Sequence, residues 1–119
     1  KNEVRYEEIK CGDADYIFVA FGSASRICQR AIDLAREEGY KVGMIRPITL
    51  WPYPYDIINR RADKVKGFLT VEMNAGQMVE DVRLGVNGKT RVEYFGRMGG
   101  IVPGPDEVLV VLKEKIINA

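Results

Sequence analysis

Two polar turns carry the residues of this chain whose types and spacing could do chemistry. In Gly67-Phe-Leu-Thr-Val-Glu-Met-Asn-Ala-Gly-Gln-Met-Val-Glu-Asp-Val82, a short apolar run ends in Glu72 and passes through Asn74 and Gly76. It continues with Met78, Val79, Val82 and Val86 on one helical side. Gly96-Arg-Met-Gly-Gly-Ile-Val-Pro-Gly104 is the longest irregular stretch. A carboxylate at a strand end can serve as a general acid or base. Backbone N–H groups at glycine turns and helix starts can hold an anion. Arg97 can pair with Glu72 from the neighbouring loop. Glu72, Asn74, Gly76, Arg97, Gly99 and Gly100 are therefore the candidate ligand or interface residues.

What surrounds them limits the chemistry. The chain has no histidine, the commonest proton shuttle at neutral pH. A dinucleotide turn requires three glycines in G-x-G-x-x-G; the register here is Gly22-Ser-Ala24-Ser-Arg-Ile27, with one. The next strand ends in Arg46-Pro47, with no acid for a ribose, and no G-x-x-x-x-G-K-[ST] occurs. A Mg2+ pocket of the phosphoacceptor kind needs several acids at the strand ends. Those ends are Gly22, Arg46, Glu72 and Gly96, and a single carboxylate among them cannot build it. Cys11 and Cys28 have neither metal-like spacing nor an activating base, and Cys28 falls on the apolar side of a helix as a small core residue. Glu72 is expected to accept backbone N–H bonds from the following turn, or to pair with Arg97.

The elements that must position these turns follow from periodicity. Asp15–Phe21 is apolar on both faces, as in a central parallel strand. Ser23 or Ser25 can cap the next helix, in which Ile27, Ala31, Leu34 and Ala35 share a face until Gly39. Lys41–Arg46 is a second strand, ended by Pro47. Trp51-Pro-Tyr-Pro-Tyr55 is a stiff aromatic connection, suited to a protein contact or a local mini-core, and Pro54 opens a helix toward Lys64. Phe68–Glu72 and the helix after it come next, closed by Asn87-Gly88. Arg91–Phe95 is the fourth strand. Pro105-Asp-Glu107 starts a last helix, apolar on more than one side, which predicts a partner on its outer face. The order β-α-β-α-β-α-β-α with short connections predicts a three-layer α/β/α sandwich with a mainly parallel sheet.

Composition agrees with a folded domain: 46% hydrophobic, 29% charged, net charge +1. That balance gives no field for nucleic acid or a membrane surface, and no apolar run is long enough to span a bilayer. Free thiols fit a cytoplasmic location. The basic cluster Arg60, Arg61, Lys64 and Lys66 is expected to complement a helix dipole and stay solvated. The chain opens Lys1-Asn-Glu-Val. The expectation is a domain of a longer polypeptide, with residues 1–13 a connecting segment from an upstream domain and 14–119 the domain itself.

Three segments carry a family resemblance: Thr70-Val-Glu-Met-Asn-Ala-Gly-Gln-Met78, Tyr94-Phe-Gly-Arg-Met-Gly-Gly100 and Ile45-Arg-Pro-Ile-Thr-Leu-Trp-Pro-Tyr-Pro54. They resemble the C-terminal part of the alpha subunit of 2-oxoacid:ferredoxin (acceptor) oxidoreductases, and the order of segments is similar to a transketolase C-terminal domain. Position 75 is Ala where relatives often show another residue. The resemblance implies a holoenzyme that oxidatively decarboxylates a 2-oxoacid to an acyl-CoA and reduces ferredoxin. Thiamine diphosphate, Mg2+ and iron–sulfur clusters serve it, with coenzyme A as co-substrate. It places those groups, and the catalytic carboxylate, in other domains or subunits. No catalytic, cofactor-binding or metal-ligating residue carries over to this chain. The implied role is a structural domain that packs against the beta subunit and other subunits, with ferredoxin a partner of the holoenzyme. The alternative is a small-molecule module whose turns at Gly22, Asn74–Gly76 and Gly96–Gly100 converge on an anionic ligand such as coenzyme A.

Overall fold

Short apolar runs become strands here, and segments of 3.6-residue periodicity become the helices between them. The computed structural model describes residues 5–48, 53–72, 77–96 and 103–118. In chain order these give β1 (Tyr6–Ile9), β2 (Tyr16–Val19), α1 (Ser23–Glu37), β3 (Val42–Pro47), α2 (Tyr55–Ala62), β4 (Gly67–Glu72), α3 (Gln77–Val86), β5 (Arg91–Gly96) and α4 (Pro105–Leu112). One π-helical turn, Lys113–Ile117, extends α4.

The strands form one sheet in the order β1-β3-β2-β4-β5. β2 lies between β3 and β4 with all three parallel, Val19 opposite Ile45 on one side and Thr70 on the other. β5 continues the parallel set beside β4, and β1 runs antiparallel along β3. Pleat alternation sends successive side chains to opposite faces. Phe18, Met44, Leu69 and Val71 pack with α1 and α4 on one face; Ile17, Val19, Ile45 and Phe68 pack with α2 and α3 on the other. The fold is the expected three-layer sandwich, its parallel strands buried between helices.

β1 is the element the sequence reading did not foresee. It lies within the stretch expected to be a connection, and two of its four residues are glutamates. Those charges are matched: Arg61 Nε donates to Glu8 Oε2 at 2.7 Å and Arg46 to Glu7 Oε1 at 3.0 Å. Arg61 thus ties the edge strand to α2 instead of standing free in the solvated cluster. β1 also comes very close to β3: a Cβ on Gly43 would lie 2.6 Å from the Lys10 carbonyl oxygen. Arg36, from α1, closes the same end of the sheet by donating to the Val42 and Lys10 carbonyls and to Asp13.

Two other expectations change. Neither Ser23 nor Ser25 caps α1. Gly22 stands at the cap with φ 65°, and the Ser25 hydroxyl donates back to the Gly22 carbonyl at 2.7 Å. The apolar excess of α4 is taken up largely inside the domain: Val108, Leu109, Leu112 and Ile116 are buried, and Val110 is the large hydrophobic it leaves exposed. Among the described residues, no helix is long and apolar enough to cross a membrane.

Candidate functional site at the carboxyl edge of the sheet

The parallel strands end together, so Glu72, Gly96, Pro47 and the residues after Val19 share one edge. This is where α/β folds hold ligands, particularly where successive connections diverge to either side. Here β2 leads outward to β3, and the chain then returns to β4 on the other side of β2.

Glu72 is the centre of this edge. The β4 pleat puts Phe68, Thr70 and Glu72 toward α2 and α3, and Glu72 is 5% exposed. Both carboxylate oxygens accept from the Met78 amide, at 3.3 Å for Oε1 and 3.0 Å for Oε2. Met78 lies in the first turn of α3, so the carboxylate satisfies a free helix donor and sets its charge against the positive end of the helix. That is the backbone-accepting role expected of it. Asn74, Gly76, Arg97, Gly99 and Gly100 lie outside the described residues, as does any pairing of Glu72 with Arg97.

Around Glu72 the structure gathers residues that the three family segments contain but to which the motifs assign no site role. Thr70 sits two residues before it on the same face and lies opposite Tyr94 on β5. The Tyr94 ring folds over Gly96, where a Cβ would overlap its hydroxyl. Tyr53 precedes α2, is buried, and packs in the cluster with Phe68 and Met78. Its ring meets Tyr55 at a centroid distance of 5.3 Å, and the Tyr55 hydroxyl donates to Asp81 at 2.7 Å. The aromatic connection is therefore a local mini-core on its described side. The available signal was period 2, since a threonine in an otherwise apolar buried run shares the face of the glutamate two positions on.

The electrostatics hold protons in place. Burial, then the charges of Asp81 and Glu72, push the Tyr53 phenol far above its usual range. Burial, then Glu72, raises Tyr94. The hydrogen bond to Asp81 raises Tyr55. Burial also raises both thiols, Cys11 to about 11, and Cys28 further still. Phenols and thiols raised in this way are protonated at neutral pH, and a protonated thiol is a poor nucleophile. The two cysteines lie in separate core clusters, on opposite faces of the sheet. Among the described residues no group of His, Cys, Asp and Glu could hold a metal.

A second feature lies beyond β2 and β3. An open depression of about 580 Å3 is lined by Gly22, Ser23, Ser25, Arg26, Gln29 and Arg46. It combines the start of α1 with two guanidinium groups, one of them already paired with Glu7.

Residues 14–108 match the family described as "Pyruvate:ferredoxin oxidoreductase core domain II". The chain belongs to this family. It is 46% identical over 114 residues to ketoisovalerate oxidoreductase subunit VorB of Methanothermobacter thermautotrophicus, covering 96% of this chain and 32% of that protein. It is 38% identical over 97 residues to 2-oxoglutarate synthase subunit KorA of Methanothermobacter marburgensis, covering 82% of this chain and 26% of that one. The chain thus spans about a third or less of the curated relatives it matches. Among solved structures, its fold is similar to 2-oxoglutarate:ferredoxin oxidoreductase from Magnetococcus marinus, solved with 2-oxoglutarate, coenzyme A and succinyl-CoA bound. The TM-score is 0.71 at 22% identity, over 96% of this chain and 20% of that chain. A split-gene transketolase, an inactive beta4 tetramer, gives a TM-score of 0.79 at 15% identity, over 92% of this chain and 40% of that chain. For this core domain II chain, the two structural likenesses bear out the transketolase C-terminal-like fold.

Proposed function

We propose that this core domain II is a non-catalytic assembly domain in the alpha subunit of a cytoplasmic, thiamine-diphosphate-dependent 2-oxoacid:ferredoxin oxidoreductase. The holoenzyme would convert a 2-oxoacid and coenzyme A to an acyl-CoA, passing electrons to ferredoxin. The observation that carries the assembly role is the engagement of Glu72, the one carboxylate among the strand ends, at the start of α3. A carboxylate engaged at a helix start positions an element, which supports a structural role over an acid–base one.

The described residues do not fit the holoenzyme's other groups. Iron–sulfur clusters need grouped thiolates, whereas the two cysteines are buried and lie on opposite faces of the sheet. Mg2+ with a diphosphate needs several oxygen ligands at one place, and the described residues offer no such cluster. We assign those groups to other domains and subunits, with the beta subunit the expected neighbour.

The test is co-purification. Full-length alpha subunit should copurify with a thiamine-binding beta subunit, and deletion of residues 14–119 should abolish that association. If the deleted subunit still assembles and turns over, the assembly role is wrong. The depression at Gly22, Arg26 and Arg46 favours a second reading, a module that holds an anionic ligand such as coenzyme A. Calorimetric titration of the full subunit with coenzyme A should then give heat that Arg26→Ala removes; no heat eliminates this reading.

A further inference from the structure

The proposed assembly role leaves the outer face of α2 and α3 unassigned. Evenly spaced rungs tie these two segments together. The Tyr55 hydroxyl donates to Asp81 at 2.7 Å, Asn59 Nδ2 donates to the Gly85 carbonyl at 2.8 Å, and Lys89 Nζ pairs with Asp63 at 3.1 Å. Each rung lies four residues beyond the last on both sides, so α2 and α3 run parallel and present one braced surface. Gly85 lets them close up, since a Cβ there would lie 3.0 Å from Ile58 Cγ2. The open depression between them, about 460 Å3, has Tyr55, Asp56, Arg60 and Leu84 among its walls. Leu84 is 69% exposed, more than any other large hydrophobic among the described residues.

A single exposed leucine is ordinary, but this one sits at the centre of a charge pattern. Asp56 stands in the first turn of α2 and Arg60 in the last. Among the described residues, neither has an ion pair or a side-chain hydrogen bond. The rung offset of 26 residues sets Leu84 level with residue 58, midway between the two charges. An apolar centre with opposite charges equally far to either side is complementary to itself turned end for end. With a two-fold axis at the level of Leu84, α2 lies antiparallel to α2 of the second copy. Asp56 then faces the second copy's Arg60, Arg60 faces its Asp56, and the two leucines meet on the axis. Antiparallel helices also bring opposite dipole ends together, and a self-complementary patch is what a two-fold dimer requires. We propose that the α2–α3 face is a homotypic interface, covered by a second copy of this chain, with Leu84 on the axis and an Asp56–Arg60 ion pair on each side. The inference rests on the helix pair and its charges and does not depend on the thiamine chemistry.

The test uses the full-length subunit in its native complex. Cys11 and Cys28 are buried, so a thiol placed on the surface of this domain is addressed selectively there. Leu84→Cys treated with a short bis-maleimide should link two copies of this subunit, and Arg30→Cys, on the exposed side of α1, should not. A link to a different subunit, no link, or equal linking from both variants would overturn the proposal. Charge reversal supplies a second readout. Asp56→Arg and Arg60→Asp should each weaken self-association of the subunit, measured by sedimentation, by about tenfold or more. The double variant, which restores both pairs in reversed order, should return to within about threefold of the unaltered subunit. A different kind of partner cannot be rescued in this way, so singles without loss, or a double variant without recovery, refute the proposal. Co-purification with the beta subunit reads the assembly role separately, and the two can fail independently.

Discussion

Glu72 shows how one residue type supports two opposite readings. A lone carboxylate at the end of a buried strand fits an acid–base catalyst and a helix anchor equally well as a sequence feature. The bonds to the Met78 amide show the anchor. Its removal is then a stability event. Glu72→Ala should destabilise the domain by about 1–3 kcal/mol, because the Met78 donor is left buried without a partner. Glu72→Gln, which keeps an acceptor oxygen and loses only the charge, should cost about 1 kcal/mol or less; urea denaturation of both variants measures the difference. Cys11 gives a pH prediction. Burial, then the charge of Glu8, raises its thiol from 9.0 to about 11. Between those values the unfolded chain releases the proton and the folded chain keeps it. The stability contribution is therefore complete below pH 9 and is lost as pH rises toward 11, with a slope of at most about 1.4 kcal/mol per pH unit. Cys11→Ala should flatten the denaturation profile in that window; an unchanged slope would show that other groups dominate it.

At the scale of elements, the strands and helices with strong periodicity were legible because tertiary packing and local pattern agree. β2, β4 and α1 bury the faces their sequences present. β1 was not legible, since Tyr6-Glu-Glu-Ile9 has neither length nor alternation. Its place depends on Arg46, Arg61 and the bare backbone of Gly43, all far away in sequence. The cap of α1 was misplaced for a related reason: serines are good caps only when the backbone turns beside them, and here the turn is at Gly22. The outer-face partner read from α4 shrinks to Val110, because how far a helix is wrapped by its own domain cannot be judged from its sequence. The β1–β3 contact yields a direct test. Gly43→Ala places a methyl group against the Lys10 and Ile9 carbonyls, at 2.6 and 2.8 Å. Backbone cannot yield as a side-chain tip does, so a loss of about 1–3 kcal/mol is expected. Thermal unfolding reads it, together with faster hydrogen exchange confined to β1 and its neighbour.

At the scale of the molecule, three sequence segments point to the family, while the residue types around them supply little for acid–base chemistry. The carboxyl edge has the form of an enzyme site, but its described acid anchors a helix and its phenols hold their protons. Sequence motifs identified the segment around Glu72. The three family segments also contain Tyr53, Thr70 and Tyr94, but single hydroxyl residues leave no spacing from which a site role can be read. Under the proposed assembly role, this edge builds the complex and does not run its reaction. The most direct measurement is 2-oxoacid-dependent ferredoxin reduction per assembled complex, comparing Glu72→Gln with the unaltered protein. The rate per assembled complex should stay within about twofold, with any loss appearing in the assembled fraction. A fall of about 100-fold or more at full assembly, the size expected on removing a general acid or base, would contradict the account.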